Sequence, residues 1–353
     1  MPPTQRSGCS TSGAKGRRMR IAVIGAGAVG SVIGGLLAKA GEDITLIGRR
    51  SHVDAVNRDH LRIDGALGAM QVRVKAAERL DFRPNLVLLT TKTQGVAAAA
   101  REICPYAIGV PVVTMQNGVR GDELVANMLG KHDILSCVVL FGATFLEPGS
   151  VTYSPQGALV LGVPFGSIDE RARTIAATLN RAIPTHLSAN IAGAHWTKLI
   201  VNENNALPAV TGLSIQDVNR QPALNNLSIL LMREAMATIA AAGIKLASLP
   251  KLPATALRTM LRLPLPVAAR LLRLLSRSLG KTPALGSTLQ SIRRGERTEI
   301  DYLNGEIVAL GERTGRPTPY NSAVVDLVHQ VESTGKFLTA EEVMAAVRSA
   351  AGS

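Results

Sequence analysis

The sequence predicts an α/β protein, in which a dinucleotide-binding domain built on a parallel sheet precedes an all-helical C-terminal domain. Two observations carry this prediction. The stretch Arg20–Gly30 joins an apolar run to a glycine-rich turn that opens a helix. Strand and helix patterns then alternate until about residue 189, where the strand patterns end. We therefore predict a disordered tail over 1–18, a dinucleotide-binding domain over 19–189 and a helical substrate and catalytic domain over 190–353.

The glycine-rich turn is Gly25-Ala26-Gly27-Ala28-Val29-Gly30, and we predict that these six residues bind the cofactor. In a Rossmann-type βαβ unit the first glycine permits a tight turn, the second lets the backbone approach a pyrophosphate, and the third lets helix and strand pack closely. A secretory signal is the alternative, because basic residues precede the apolar run. The spacing of the glycines and a second strand at 44–47 favour the Rossmann-type domain.

The rest of the chain is read from its hydrophobic periodicity. After a helix near 29–40, the predicted elements of the first domain are strands at 44–47, 86–89 and 110–114, a hairpin of 61–63 with 70–74, helices from 96 and over 122–129 and 168–182, and further strands after 134. Helical spacing of apolar residues follows over 191–210, 223–242 and 285–314, and from 321 onward. Basic amphipathic pieces at 257–262 and 268–275 cover the core of the domain or lie on a membrane surface, and we favour the former.

The net charge of +13 is concentrated in two places. Residues 245–297 hold eleven Lys and Arg against a single acid, Glu296, and residues 1–19 hold four basic residues and no acid. A basic stripe without interleaved aromatic residues is typical of a solvated helix face rather than a nucleic-acid site, and positive potential also favours an anionic cofactor. No apolar run reaches the ~18 residues of a membrane span. We therefore predict neither a nucleic-acid partner nor a membrane partner.

The cysteines and histidines indicate the cellular compartment and whether the protein binds a metal. Three cysteines, Cys9, Cys104 and Cys137, have no C-x-x-C spacing and are odd in number, which indicates a reducing compartment, and we predict a cytoplasmic location. The histidines are scattered singly, so we predict no metal site. A homodimer is compatible with the sequence, which does not decide it.

The second strand ends at Arg49, and this residue indicates the cofactor. An NAD-binding unit usually carries Asp or Glu at this place, for the ribose 2′-hydroxyl. A guanidinium instead can bind a 2′-phosphate in a forked contact. The sequence therefore predicts NADPH, with the alternative that Arg49 and Arg50 are simply exposed arginines after a strand.

Polar stretches follow two apolar strands, where an open α/β sheet binds its ligands. Thr90-Thr91-Lys92-Thr93-Gln94 follows the strand at 86–89, and Gln116-Asn117-Gly118 follows the strand at 110–114. The pair Asn117-Gly118 alone is also a common turn. Because the pattern occurs twice at strand ends, it favours a site that includes Lys92 and Asn117.

The helical domain contains further polar residues at helical spacing. Lys198 and Asn202 are four residues apart and Asn205 follows three later, which predicts a polar cleft wall or, alternatively, an exposed helix face. Near the end, Ser287 and Gln290 lead to Thr298-Glu299-Ile300-Asp301. Glu299 and Asp301 are also typical of the first turn of a helix.

With these motifs in order, the chain resembles the ketopantoate reductase (2-dehydropantoate 2-reductase) family from Met19 to about Glu332. The resemblance rests on GAGAVG, Arg49, TTKTQ, QNG, W-x-K-L-x-x-N, S-x-L-Q-x-I and TEID-x-L-N-G. It implies a Rossmann domain joined to a helical domain, with the active site between them. It also implies NADPH-dependent reduction of a 2-keto acid, with ketopantoate and (R)-pantoate of pantothenate and coenzyme A synthesis as the first choice.

The resemblance also implies roles for individual residues. Lys198 would be the general acid and Glu299 its catalytic partner, which also contacts the cofactor. Asn202, Asn205 and Ser287 would bind the keto acid, Lys92 would lie near the cofactor, and Asn117 would contact both the substrate and the nicotinamide end.

The chain departs from the family pattern at four places, one of which is that an asparagine found in some members has no match near Ile215. The family commonly has Asn where this sequence has Ala206 and Asp where it has Ser291, and the basic segment before Pro283 is longer than the shortest family pattern. These differences bear on the identity of the substrate. The alternatives are a reductase of another branched 2-keto acid and a catalytically silent NADPH-binding sensor.

Overall fold

A computed structural model of the chain describes residues 18–277 and 283–352. The predicted tail lies outside the described residues except for Arg18. The first region runs in the order β1 (Arg20–Ile24), α1 (Ala28–Lys39), β2 (Asp43–Ile47), α2 (Arg50–Asp59), β3 (Leu61–Gly65), β4 (Met70–Val72), β5 (Lys75–Ala77), β6 (Leu86–Leu89), α3 (Val96–Ala107), β7 (Val112–Thr114), α4 (Gly121–Leu129), β8 (Ile134–Val139), β9 (Ala143–Glu147), β10 (Ser150–Tyr153), β11 (Leu159–Gly162), α5 (Glu170–Asn180) and β12 (Thr185–Leu187).

Eight of these strands form the main sheet, in the order β12-β11-β8-β7-β6-β1-β2-β5. All neighbours are parallel except β8 and β11, which are antiparallel. In the centre, Val23 of β1 is opposite Leu46 of β2 and Leu88 of β6. The central strands are mostly apolar, as expected of a parallel sheet with both faces covered. The predicted Rossmann-type sheet is confirmed.

A second sheet of four strands, in the order β4-β3-β10-β9, packs against the other side of α1. The predicted hairpin is its β3–β4 pair, which is antiparallel. Buried residues of α1, including Ile33 and Leu37, fill the space between the two sheets. This packing fixes the helix whose N-terminus follows the glycine-rich turn.

The second region is helical. Its elements are α6 (Ile191–Asn202), α7 (Ala206–Thr211), α8 (Ile215–Arg220), α9 (Pro222–Ala241), α10 (Ala254–Arg262), α11 (Leu265–Arg277), α12 (Ser287–Arg293), α13 (Asn304–Thr314), α14 (Pro319–Thr334) and α15 (Ala340–Gly352). Short 3-10 turns lie at Thr93–Gly95, Glu203–Asn205 and Ile300–Tyr302. In the described ranges, no helix combines the length and the apolar character that crossing a bilayer requires.

The structure divides two of the stretches of helical spacing and adds one helix to the first region. The stretch 191–210 contains two helices, because Pro208 has no N–H for the carbonyl of Asn204 and a 3-10 turn intervenes. The stretch 285–314 is also divided, because Gly295 adopts φ +65° just after α12. Helix α2 was not predicted because most of its residues are polar, although its four buried residues, His52, Val53, Ala55 and Val56, lie on one face.

Helix α6 connects the two regions. It begins at a cap in which Asn190 Oδ1 accepts from Gly193 N at 2.9 Å, and it packs against β8 and β11. Ile191 and Ala194 of α6 share a small buried cluster with Val138 and Val160 of these strands. The helix that carries Lys198 therefore rests on β8 and β11 of the main sheet.

Candidate active site

The glycine-rich turn has the shape that its sequence predicts. Gly25 adopts φ +98°, which disfavours any residue with a side chain. A Cβ on Gly30 would lie 2.4 Å from the Gly25 carbonyl oxygen, so helix and turn need a glycine there. A Cβ on Gly27, in contrast, would meet no described atom within 4 Å, so its backbone is open to a ligand. Within the described chain no side chain caps α1, whose first N–H groups remain available for a phosphate.

Arg49 lies immediately beyond β2, next to the glycine-rich turn. A Cβ on the preceding Gly48 would lie 2.8 Å from Ala26 Cβ, which shows how close the two loops are. The Arg49 side chain is 87% exposed and its Nη1 lies 3.4 Å from Glu296 Oε1. Its position at the end of the second strand is therefore the predicted one, and its guanidinium is accessible.

Lys198 lies in the last turn of α6, and the structure joins it to the loop that follows β7. Its Nζ donates to Asn117 Oδ1 at 2.7 Å. Burial lowers the pKa of Lys198 from its usual value to about 8, and the negative charge of Glu299 partly opposes this shift. The ammonium is therefore a stronger acid than a surface lysine.

Glu299 reaches the same place from the segment between α12 and α13. Its Oε1 accepts from Thr93 N and from Thr93 Oγ1, both at 2.9 Å, and its Oε2 lies 3.5 Å from Asn117 Nδ2. The Thr93 hydroxyl is at 3.1 Å from the Asn117 carbonyl oxygen. Asn117 thus contacts both Lys198 and Glu299, and residues from both regions form one network.

Lys92 lies beside this network and binds the helical region directly. Its Nζ donates to Glu296 Oε2 at 2.7 Å and to Ser291 Oγ at 3.1 Å. Ser291 is the residue that replaces the aspartate common in the family, and Glu296 supplies a carboxylate here instead. Lys92 therefore faces the cleft between the regions, as its position after β6 predicts.

The predicted substrate residues Asn202, Asn205 and Ser287 lie in the helical region, at the end of α6, in the turn that follows it and at the start of α12. Asn202 ends α6, and its Oδ1 is 3.5 Å from Asn205 Nδ2. A Cβ on Gly286 would lie 2.9 Å from Asn205 Oδ1, and Ser287 follows Gly286 as an exposed residue. Asn204 is different, since its Nδ2 lies 3.2 Å from Met232 Sδ of α9. The amide that accompanies Asn202 is therefore that of Asn205.

Sequence reasoning gave no individual role to three residues around this site. Thr93, which belongs to the predicted polar stretch 90–94, binds Glu299, and Glu296 binds Lys92 and Arg49. His195, one turn before Lys198, lies 2.7 Å from Ser136 Oγ of β8 and forms a hydrogen bond to the backbone of Gly118, while burial lowers its pKa. Glu296 had a signal as the single acid of the stripe 245–297, whereas His195 had none.

The fold and this site define a dinucleotide-binding protein with an acidic lysine in an interdomain cleft. Two family models match the chain: Ketopantoate reductase PanE/ApbA over residues 21–164, and Ketopantoate reductase PanE/ApbA C terminal over residues 190–332. These matches span most of the chain. It therefore belongs to the ketopantoate reductase family of oxidoreductases, and the family predicted from the motifs is confirmed.

Individual relatives agree with this assignment. The chain is 30% identical over 321 residues to a 2-dehydropantoate 2-reductase of Pyrococcus horikoshii, covering 90% of this chain and 99% of the relative. A solved structure of a PanE/ApbA family ketopantoate reductase from Ralstonia eutropha JMP134 is 31% identical with a TM-score of 0.76, covering 89% of this chain and 99% of that chain. A D-mandelate dehydrogenase complex with NADH and anilino(oxo)acetate shares the fold, at 22% identity and a TM-score of 0.76, over 90% of this chain and 99% of that one.

Proposed function

We propose that this chain is an NADPH-dependent 2-dehydropantoate 2-reductase, which reduces ketopantoate to (R)-pantoate in pantothenate and coenzyme A synthesis. The observation that carries the proposal is the network of Lys198, Asn117, Glu299 and Thr93, assembled from both regions beside the glycine-rich turn. The family and the curated relative named 2-dehydropantoate 2-reductase support this substrate.

The residues present fit a dinucleotide with a 2′-phosphate. Gly27 leaves open space where a pyrophosphate approaches the backbone, and the N-terminus of α1 favours its charge. Arg49, accessible beyond β2, would bind the 2′-phosphate. Residues 25–30, Arg49, Lys92, Asn117 and Glu299 would hold this cofactor, which when bound supplies a hydride to C2 of the keto acid.

The chain supplies the proton and the stabilising charge. As C2 is reduced, negative charge develops on the carbonyl oxygen, and the Lys198 ammonium stabilises it and donates a proton. Asn117 holds Nζ in place at 2.7 Å. Glu299, fixed by two hydrogen bonds from Thr93, partly opposes the lowering of the Lys198 pKa and so favours the charged ammonium at neutral pH. Asn202, Asn205 and Ser287 would bind the carboxylate and the hydroxyl of the substrate without adding charge.

The test is NADPH oxidation with ketopantoate beside straight-chain, branched and aromatic 2-keto acids. We expect the highest kcat/KM for ketopantoate. A higher kcat/KM for another keto acid would overturn the assignment of ketopantoate as the substrate. Lys198→Ala should lower kcat by about 100-fold or more, the scale of a positioned general acid, while the Kd for NADPH stays unchanged. Lys336→Ala, which removes an exposed lysine of the same region, is the matched control. Near-normal turnover of Lys198→Ala would reject its role.

We also propose that the enzyme works as a soluble protein of the cytoplasm. Cys104 and Cys137 are both free, which agrees with a reducing compartment.

We further propose that residues 19–189 form the cofactor-binding domain and residues 190–353 the substrate and catalytic domain. This boundary agrees with the last strand, which ends at Leu187, and with α6, which starts at Ile191. In the part of the chain that the structure describes, no cluster of residues has the composition of a metal site.

A further inference from the structure

We propose that Glu296 is a specificity-determining residue. Its carboxylate pairs with the Arg49 guanidinium where the 2′-phosphate of the cofactor would bind, and this ion pair must break when NADPH binds. The proposal rests on the proposed use of NADPH and goes beyond it. Glu296 would thereby set how strongly the protein prefers the phosphorylated cofactor over NADH, through an intramolecular competition for one cation.

The contacts of Glu296 are the first evidence. Each of its two carboxylate oxygens contacts a cation of the first region, since Oε1 lies 3.4 Å from Arg49 Nη1 and Oε2 lies 2.7 Å from Lys92 Nζ. Arg294 Nε is a third cation, 3.6 Å from Oε2. Among the described carboxylates, Glu296 is the only one within ion-pair distance of either Arg49 or Lys92. A single anion therefore balances a group of cations at the cofactor side of the cleft.

The charge state of Glu296 is the second piece of evidence. Burial alone would raise the pKa of its carboxyl, but the hydrogen bond from Lys92 and the charges of Lys92, Arg294 and Arg49 hold the pKa below its usual value. The group is therefore an anion throughout the neutral range. An anion beside Arg49 opposes the arrival of a second anion and weakens the guanidinium as a phosphate ligand.

The two contacts of Glu296 have different strengths. Arg49 is 87% exposed and its contact is long, whereas Lys92 is 33% exposed and its contact is short. Exposed ion pairs contribute little to the free energy of unfolding. The contact of Glu296 with Arg49 can therefore break without destabilising the protein, while the contact of Glu296 with Lys92 persists. Glu296 belongs to the helical region and Arg49 to the first region, 247 residues apart in the sequence. When the ion pair breaks, the Arg49 side chain can therefore turn away from the helical region and toward the cofactor.

The experiment measures binding rather than turnover. Calorimetry gives the Kd of adenosine 2′,5′-bisphosphate, adenosine 5′-monophosphate, NADPH and NADH for the wild type, Glu296→Gln, Arg49→Ala and the double variant. We expect Glu296→Gln to tighten the two 2′-phosphorylated ligands by about two- to fivefold, the scale of a surface ion pair, and to leave the other two within error. In the Arg49→Ala background this gain should vanish, because the cation that Glu296 occupies is gone.

A control variant and the contrary results distinguish a failure of this proposal from a failure of the proposed function. Glu312→Gln removes one exposed carboxylate of the same region away from the cleft and should change no Kd. If Glu296→Gln weakens all four ligands, or tightens them equally with Arg49 absent, Glu296 does not compete for Arg49 and the proposal is overturned. If the wild type binds NADPH no better than NADH, or does not reduce ketopantoate, the proposed function fails instead.

Discussion

Lys198 is buried against the amide of Asn117, and this burial makes it a different acid from a lysine in solvent. A pKa of about 8 keeps the ammonium charged at neutral pH and still lets it release a proton readily. The neighbouring carboxylate of Glu299 sets the balance, since without it the loss of solvent would lower the pKa further. One side chain therefore tunes the acidity of another across the cleft.

The first prediction concerns the pH dependence of catalysis. Reduction needs protonated Lys198, so kcat should fall as pH rises through about 8. In Glu299→Gln the stabilising charge is lost, and the falling limb should move to lower pH by about one unit. Profiles of kcat against pH at saturating NADPH and ketopantoate measure this shift. Glu312→Gln is the control, because it removes an exposed carboxylate of the same region. An unmoved limb in Glu299→Gln would show that Glu299 does not tune Lys198.

Among the elements, the segment between α12 and α13 decides where Glu299 points. Thr298 N donates to Glu332 Oε1 at 2.7 Å, and Asp301 Oδ1 lies 2.9 Å from His329 Nε2. His329 Nδ1 is in turn 2.9 Å from Glu332 Oε2. Residues on either side of Glu299 are thus tied to one turn of α14, which leaves Glu299 free to reach Thr93.

The second prediction is a pH-dependent stability of this connection. Although burial lowers the pKa of His329, the hydrogen bonds and charges of Glu332 and Asp301 outweigh it and raise the pKa above 6.5. The stabilisation is therefore fully present below pH 6.5 and is lost as pH rises through the folded-state pKa. The Tm difference between the wild type and His329→Gln, measured from pH 6 to pH 9, should shrink as pH rises. A Tm difference for His329→Gln that stays constant across this pH range would contradict the assignment.

The elements also show how far sequence reasoning reaches. The βαβ unit could be predicted because its signals are local: an apolar run, glycines at fixed spacing and Arg49 after the second strand. The breaks at Pro208 and Gly295 were missed because apolar periodicity continues across both, while a single backbone group ends each helix. The contact of Glu299 with Thr93 joins residues 206 apart, and no local pattern specifies such a pair. The motifs placed both residues near a cleft, but only the fold shows which atoms meet.

In the whole molecule, polar pairs across the cleft hold the two regions in the arrangement that the site requires. Arg120, in the loop before α4, pairs with Glu306 of α13, and the Glu306 side chain is only 3% exposed. Arg313, from the helical region itself, reaches the other oxygen of Glu306 at 3.6 Å. A buried carboxylate needs such cations, and one of its two partners comes from the opposite region. The pair also lies close to the site, since Gly118 contacts Tyr302.

The last prediction compares the two arginines that share Glu306. Arg120→Gln and Arg313→Gln each leave the buried carboxylate with one cation, so both should lower the free energy of unfolding, by about 1–3 kcal/mol because both arginines are partly exposed. Only Arg120→Gln also removes a contact between the regions, so it alone should lower kcat/KM for the keto acid, by about tenfold, as Asn117 and Lys198 lose their fixed separation. Denaturant unfolding and steady-state kinetics on both variants measure the two effects. Equal losses of kcat/KM would mean that Glu306 acts on the site through the helical region, and an unchanged kcat/KM in both would mean that the cleft keeps its geometry without this pair.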